Sequence, residues 1–179
     1  MQPHAPQVPA PVATRPEAAP GPPPLPARSP GAGPATWQTS LVLGPVDTAP
    51  RDARATLKAA LATWGLAHLS EPAQAVTSEL VTNAITVSVQ KAPPGTAPRP
   101  VTLRASVQHE HGELCIRVWD PDPAPPPRDD TGNLPGLWQE NGRGLFIVTA
   151  YSSRWSWYPA HGGKYVWAAL PLHAQPPAR

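Results

Sequence analysis

The chain has 179 residues, 40% of them apolar and 15% charged, with one cysteine and a formal net charge of +2 at pH 7. This length suffices for one domain with a substantial core, whereas a single cysteine excludes an internal disulfide. The basic residues form no block that would follow nucleic-acid phosphates, and no apolar run reaches the roughly 18 residues that cross a bilayer, so we predict a cytoplasmic protein that binds neither nucleic acid nor membrane.

The N-terminal arm differs in composition from the rest of the chain. Twelve of the 29 prolines precede Ala35, among alanines and glycines with few large apolar side chains. Such a segment cannot bury enough surface to offset the entropy of ordering it. We therefore predict a disordered tail over residues 1–36, one domain over residues 37–172 and a short disordered tail over residues 173–179.

A first strand and a first helix open the predicted domain. Residues 37–44 alternate loosely and end at a Gly-Pro pair, which predicts a strand. Thr48 is a suitable N-cap for the following helix, and Pro50 suits its first turn. The apolar residues Ala53, Leu57, Ala60, Leu61 and Trp64 then recur on one helical face. Gly65 is placed to end this helix in a left-handed conformation.

Residues 70–89 predict a second amphipathic helix, with Ser70 as its N-cap. Glu79 and Asn83 lie four residues apart and therefore project from the same side of that helix. A carboxylate and a carboxamide so placed could face a shared pocket, where one oxygen holds a metal ion and the carboxylate takes a proton. A solvated polar face explains the same pair, and the pair alone does not separate the two interpretations.

The second half of the chain predicts two hairpins separated by a long loop. Residues 101–108 alternate between apolar and polar, and residues 113–120 return as a second arm that ends in Asp120. Residues 121–141 hold six prolines and predict a functional or disordered loop. A short helix over residues 144–151 and a closing hairpin over residues 155–170 follow. These elements predict a two-layer α/β sandwich, a mixed sheet with helices on one face.

The order of these motifs resembles a known family. Glu79 and Asn83 on a helix, Asp120 at a strand end and Gly142-Arg143-Gly144-Leu145 before a short helix resemble the N, G1 and G2 boxes of the histidine-kinase-like ATPases, the Bergerat or GHKL fold. Within that family the chain is most similar to the small bacterial anti-sigma-factor serine/threonine kinases. The resemblance covers residues 37–172, and it implies that residues 121–141 are an ATP lid.

The resemblance implies ATP and Mg²⁺ as ligands and assigns roles to individual residues. Glu79 would be the catalytic general base, and Asn83 would bind the metal. Asp120 would accept a hydrogen bond from the exocyclic amine of adenine, and the segment from Gly142 to Leu145 would bind phosphates. The implied partners are a sigma factor and its antagonist protein, and the tryptophans of the closing hairpin are compatible with a homodimer surface or with the core.

Several positions depart from the family pattern. The G1 box usually contains two glycines after its aspartate, whereas the residues that follow Asp120 here are Pro-Asp-Pro-Ala. Tyr165 stands where a threonine is common. Two hypotheses follow: an ATP-dependent kinase of the anti-sigma type, or a non-catalytic protein-binding module with weak or lost nucleotide binding. A third, an unrelated α/β domain, requires four ordered matches to arise by chance.

Overall fold

The structure is a computed structural model that describes residues 37–126 and 143–173. The predicted tail over residues 1–36 and most of the predicted lid lie outside the described residues. The elements in chain order are β1 (Gln38–Leu43), α1 (Ala49–Thr63), α2 (Ser70–Gln90), β2 (Val101–Gln108), β3 (Glu113–Asp120), α3 (Arg143–Tyr151), β4 (Arg154–Ala160) and β5 (Gly163–Pro171). Short 3₁₀ turns at Ala67–Leu69 and His109–His111 precede α2 and β3.

The strands form one sheet in the order β1-β2-β3-β5-β4, and every pair of neighbouring strands is antiparallel. The prediction of a mixed sheet is therefore wrong for the described strands. Two helices separate β1 from β2. If the chain reverses direction at each of the three connections, β2 runs antiparallel to β1, as observed. β3 and β4 do run in the same direction, but β5 lies between them, and no parallel pair forms.

All three helices pack on one face of the sheet, which confirms the predicted two-layer α/β architecture. Alternation along the strands directs one set of side chains towards the helices. The fully buried members of this core include Leu57, Leu61, Val76, Val81, Leu103, Leu114, Ile116, Val148 and Leu170. Burial of one such side chain contributes about 1.5–3 kcal/mol. In the described ranges, no helix is both long and apolar enough to cross a membrane.

Aromatic and arginine side chains line the opposite face of the sheet. The Arg104 guanidinium lies over the Tyr165 ring at 5.8 Å, and that of Arg154 lies over the Trp167 ring at 5.5 Å. Cys115 shares this face, and its thiol is buried with its pKa raised by desolvation. Because the thiolate is the reactive form, this cysteine has the chemistry of a structural residue.

The positions of the helix ends agree with the prediction more closely than the identity of the capping residues does. Gly65 follows α1 with φ of 71°, the left-handed conformation predicted for it. Ser70 is not the N-cap of α2 but its first residue, because the 3₁₀ turn before it runs directly into the helix and Leu69 takes the cap position. The Ser70 hydroxyl instead accepts a hydrogen bond from Gln74 Nε2 at 2.8 Å.

The ends of β3 and β5 meet at a buried ion pair. Asp120 and Lys164 are register partners, and Lys164 Nζ lies 2.9 Å from Asp120 Oδ1, with both side chains 4% exposed. The preceding residue, Gly163, has no room for a side chain. A Cβ there would lie 2.7 Å from Trp119 Cζ2 and would also meet the Asp120 carbonyl oxygen. This close approach of the two strands fixes the position of the Lys164 backbone beside Asp120.

We expect Gly163→Ala to lower the free energy of unfolding by about 1–3 kcal/mol, the usual cost of overpacking, because the added methyl group meets backbone and a ring that cannot both withdraw. Gly44→Ala is the matched control, since a Cβ at Gly44 has nothing within 4 Å. Chemical denaturation of both variants and the wild type measures the difference. Equal stability of the two variants would contradict the packing described here.

We expect Lys164→Met to lower the free energy of unfolding by about 3–5 kcal/mol, because it leaves the buried Asp120 carboxylate without its cationic partner. Lys91→Met removes the same charge nearby, at a side chain that is 59% exposed and 3.7 Å from Asp122 Oδ2. Exposed pairs of this kind contribute little, so this control should remain close to the wild type in chemical denaturation. Similar losses in both variants would contradict a special role for the buried pair.

Candidate functional site

Helix α2 carries the first two predicted site residues and packs against both β3 and α3. Its buried stripe consists of Ala73, Val76, Thr77, Leu80, Val81, Ala84 and Ser88. Glu79 lies at the border of this stripe and is half-buried, whereas Asn83, one turn later, is exposed. Burial raises the pKa of the Glu79 carboxyl above its usual value. A carboxylate of this kind binds a proton more readily than one in water, as a general base must.

The C-terminal end of α2 lies beside the loop that follows β3. Lys91, which caps the helix, has its Nζ 3.7 Å from Asp122 Oδ2. Asn83 lies eight residues earlier, which corresponds to about 12 Å along a helix axis. The helix thus runs from Glu79 and Asn83 towards the loop that follows Asp120. No hydrogen bond joins the described side chains of Glu79, Asn83 and Asp120 to one another.

Asp120 ends β3, as predicted, and its carboxylate is already engaged. Its Oδ1 accepts a hydrogen bond from Lys164 Nζ at 2.9 Å and another from the Asp122 amide at 2.9 Å. Lys164 Nζ also donates to the Asp122 carbonyl oxygen at 3.0 Å. Burial raises the pKa of the Asp120 carboxyl, and the hydrogen bond and charge of Lys164 offset only part of that rise.

Two aspartates shape the glycine-free segment after β3. The Asp122 amide donates to Asp120 Oδ1, and the Ala124 amide donates to Asp122 Oδ1 at 3.1 Å. In each case an aspartate side chain accepts from the amide two residues later, which is the Asx-turn geometry. The two intervening prolines have no amide to donate and prefer a fixed φ, so they suit these turns. Side-chain hydrogen bonds thus take the place of glycine flexibility here.

The predicted phosphate-binding segment is only partly described. Gly142 lies outside the described residues, and α3 begins at Arg143. The side chain of Arg143 also lies outside what the structure describes. Leu145 is 5% exposed, so its side chain belongs to the protein interior and only its backbone is available to a ligand. The structure therefore begins a helix after the predicted lid segment, within one residue of the predicted start.

Sequence reasoning missed Lys164 as a site residue, although a signal was present. In β5, Lys164 has the same alternation as Val166, Ala168 and Leu170, whose side chains face the helices. A lysine at an inward-facing position requires a buried acceptor. Asp120, at the end of the neighbouring strand β3, faces the same side of the sheet and is the acceptor within reach. Lys91 and Asp122 were missed as well, because their meeting depends on the packing of α2.

Comparison with known proteins places the chain in a family. A family model of the histidine kinase-like ATPase domain matches residues 46–170. No curated protein sequence gives a match. A crystal structure of the RsbU and RsbW domains of Rv1364c from Mycobacterium tuberculosis is 16% identical with a TM-score of 0.49. That match covers 75% of this chain and 31% of the other, so this chain spans less than a third of that protein's length.

The family match confirms the resemblance predicted from the order of the motifs. It begins after β1 and extends through β5, and it therefore includes Glu79, Asn83, Asp120 and the start of α3. Since this range is well over half of the sequence, the chain belongs to the histidine kinase-like ATPase domain family.

Proposed function

We propose that this protein is an ATP-binding regulator of the anti-sigma-factor type, a serine/threonine kinase that acts on an antagonist protein. The observation that carries the proposal is the placement of Glu79 and Asn83 one turn apart on α2, on a helix that packs against both β3 and α3. The raised pKa of Glu79 suits a general base. The family match supports ATP as the ligand.

The residues of α2 fit a nucleotide with its magnesium ion. Mg²⁺ in proteins is usually held by one or two oxygen side chains together with substrate phosphates. The exposed carboxamide of Asn83 offers such an oxygen, and the helix N-terminus at Arg143 offers backbone amides to phosphate. At Asp120 the fit is incomplete, because Lys164 and the Asp122 amide already share Oδ1.

In the proposed mechanism the protein positions and deprotonates the acceptor. Bound ATP with Mg²⁺ supplies the phosphoryl group and the neutralising charge. Glu79 would accept the proton from a serine or threonine hydroxyl of the antagonist as that oxygen takes the phosphoryl group and ADP leaves, and Asn83 would hold the metal through its side-chain oxygen. Phosphoryl transfer depends mainly on positioning and electrostatics. Two polar side chains on one helix therefore suffice as the protein's contribution to the proposed chemistry.

The proposal includes an assignment of segments and partners. Residues 37–172 form the ATPase domain, residues 121–141 its lid, and residues 1–36 and 173–179 are tails. The partners are a sigma factor and its antagonist, in the cytoplasm, and a second copy of the chain is a candidate partner for a homodimer. A second function, a non-catalytic protein-binding module with weak nucleotide binding, is favoured by one observation: the predicted adenine acceptor is paired with Lys164.

We expect Asn83→Ala to weaken the binding of ATP with Mg²⁺ by at least about tenfold, or about 1.4 kcal/mol, because it removes a metal ligand. Calorimetric titration of ATP and ADP measures the affinity. Gln90→Ala is the matched control, since it removes an exposed carboxamide from the last residue of the same helix. Equal affinity of the wild type and Asn83→Ala would exclude Asn83 from the metal site.

We expect Glu79→Gln to lower phosphate transfer to a serine or threonine of the antagonist by about 10²–10⁴-fold while nucleotide affinity is retained, because it removes only the base. Glu71→Gln, an exposed carboxylate in the first turn of α2, is the control. Transfer is measured with labelled ATP. Retained transfer in Glu79→Gln would disprove the assigned role, and no transfer by the wild type to its authentic partner would favour the binding-module function.

The pH dependence of transfer gives an independent test of the same base. Glu79 acts only when it is deprotonated, so the rate should fall as pH decreases through its pKa. Because burial raises the pKa of the Glu79 carboxyl, the acid limb should lie above the range of an ordinary glutamate. A rate profile of the wild type locates this limb, and an acid limb within the ordinary glutamate range would contradict the assignment.

A further inference from the structure

We propose that Lys164 is a built-in competitor of adenine: its ammonium group occupies the position on Asp120 that the exocyclic amine of the base would take. The inference rests on the proposed function, in which Asp120 is the acceptor for that amine. It follows that nucleotide binding requires Lys164 to leave Asp120, and that the protein in its resting form binds ATP weakly and hardly recognises its base.

Two hydrogen bonds, the strand register and the packing of Gly163 hold the ammonium group in this position. It donates to Asp120 Oδ1 at 2.9 Å and to the Asp122 carbonyl oxygen at 3.0 Å, which are groups on either side of Pro121. The strand register pairs Lys164 directly with Asp120. Gly163, packed without a Cβ against the Trp119 ring and the Asp120 carbonyl, keeps the beginning of β5 close to the end of β3. The placement of the lysine is thus a property of the sheet.

Electrostatics favours the lysine over the base. Both donors seek the same carboxylate, but the ammonium group is charged and the adenine amine is neutral. A hydrogen bond to the Asp120 carboxylate is charge-assisted for either donor, but only the ammonium group adds the attraction between opposite charges. Both side chains are 4% exposed, so water screens the pair little. Exchange of ammonium for amine therefore costs binding energy, and this cost lowers the apparent affinity for adenine nucleotides.

The sign of the mutational effect separates this role from a phosphate contact. A lysine that binds the phosphates attracts the polyanionic nucleotide, so its replacement by methionine weakens binding. A lysine that blocks the base has the opposite effect, and its replacement strengthens binding. The contribution of the base can be isolated with inosine triphosphate, which has a carbonyl oxygen in place of the exocyclic amine and carries identical phosphates.

The experiment titrates ATP and inosine triphosphate, each with Mg²⁺, into the full chain and into Lys164→Met. We expect the wild type to bind both weakly, with affinities that differ by less than about threefold, and Lys164→Met to bind ATP at least about tenfold more tightly than the wild type without a comparable gain for inosine triphosphate. Lys58→Met, which removes an exposed cation from α1, is the control and should show no gain.

The possible results distinguish this inference from the proposed function. A wild type that prefers ATP over inosine triphosphate by tenfold or more has its base acceptor free, which overturns the inference and leaves the proposed function intact. Unchanged or weaker ATP binding by folded Lys164→Met also overturns it. Lys164→Thr, which is short and keeps a hydroxyl donor, serves if the methionine variant does not fold. If neither the wild type nor any folded variant binds ATP, the inference and the nucleotide-binding function both fail.

Discussion

The buried pair of Asp120 and Lys164 joins the central strand of the sheet to its closing hairpin. Withdrawing two charges from water is costly, and only good geometry with further hydrogen bonds offsets that cost. Here the pair has such support, since the Asp122 amide and carbonyl oxygen each bond to one member. The path of the loop after β3, the beginning of β5 and the availability of the predicted adenine acceptor all depend on this one interaction.

Helix α2 connects this pair with the chemical groups proposed for catalysis. Its middle carries Glu79 and Asn83, and its C-terminal cap, Lys91, lies beside Asp122 in the loop that surrounds the pair. The two regions are therefore linked by one continuous helix that is packed on β3 and α3. A rearrangement of the loop at Asp122 changes the surroundings of Lys91. The C-terminal end of the helix that carries Glu79 would therefore respond to changes at Asp120, the proposed adenine acceptor.

Periodicity in the sequence was sufficient to predict most of the fold. The boundaries of β2 and β3 were predicted to the residue, because strict alternation and a Gly-containing turn leave one register. The mixed sheet was wrong because strand direction depends on the order of strands in space, and nothing local indicates that β5 lies between β3 and β4. Ser70 was assigned as a cap because the 3₁₀ turn before it has no sequence pattern of its own.

The candidate site shows a similar division. Glu79, Asn83 and Asp120 were predicted as site residues from the resemblance of their ordered motifs to a known family, because the spacing of Glu79 and Asn83 alone left a solvated polar face equally open. The pairing of Asp120 with Lys164 was not identified, although the inward position of Lys164 followed from the alternation of β5. That pairing joins residues 44 positions apart and depends on the register of two strands that are not consecutive. Long-range register is the information that a single sequence conveys least well.

The position of Trp119 has an optical consequence. Its indole nitrogen donates to the Ala160 carbonyl oxygen at 2.9 Å, its ring lies against Gly163, and the Arg99 guanidinium stands 4.7 Å from the ring centroid. The indole thus contacts the turn between β4 and β5 and also the segment before β2. Its emission responds to changes in these neighbours, so the proposed departure of Lys164 from Asp120 would carry a fluorescence signal of its own, and no external dye would be required to follow it in time.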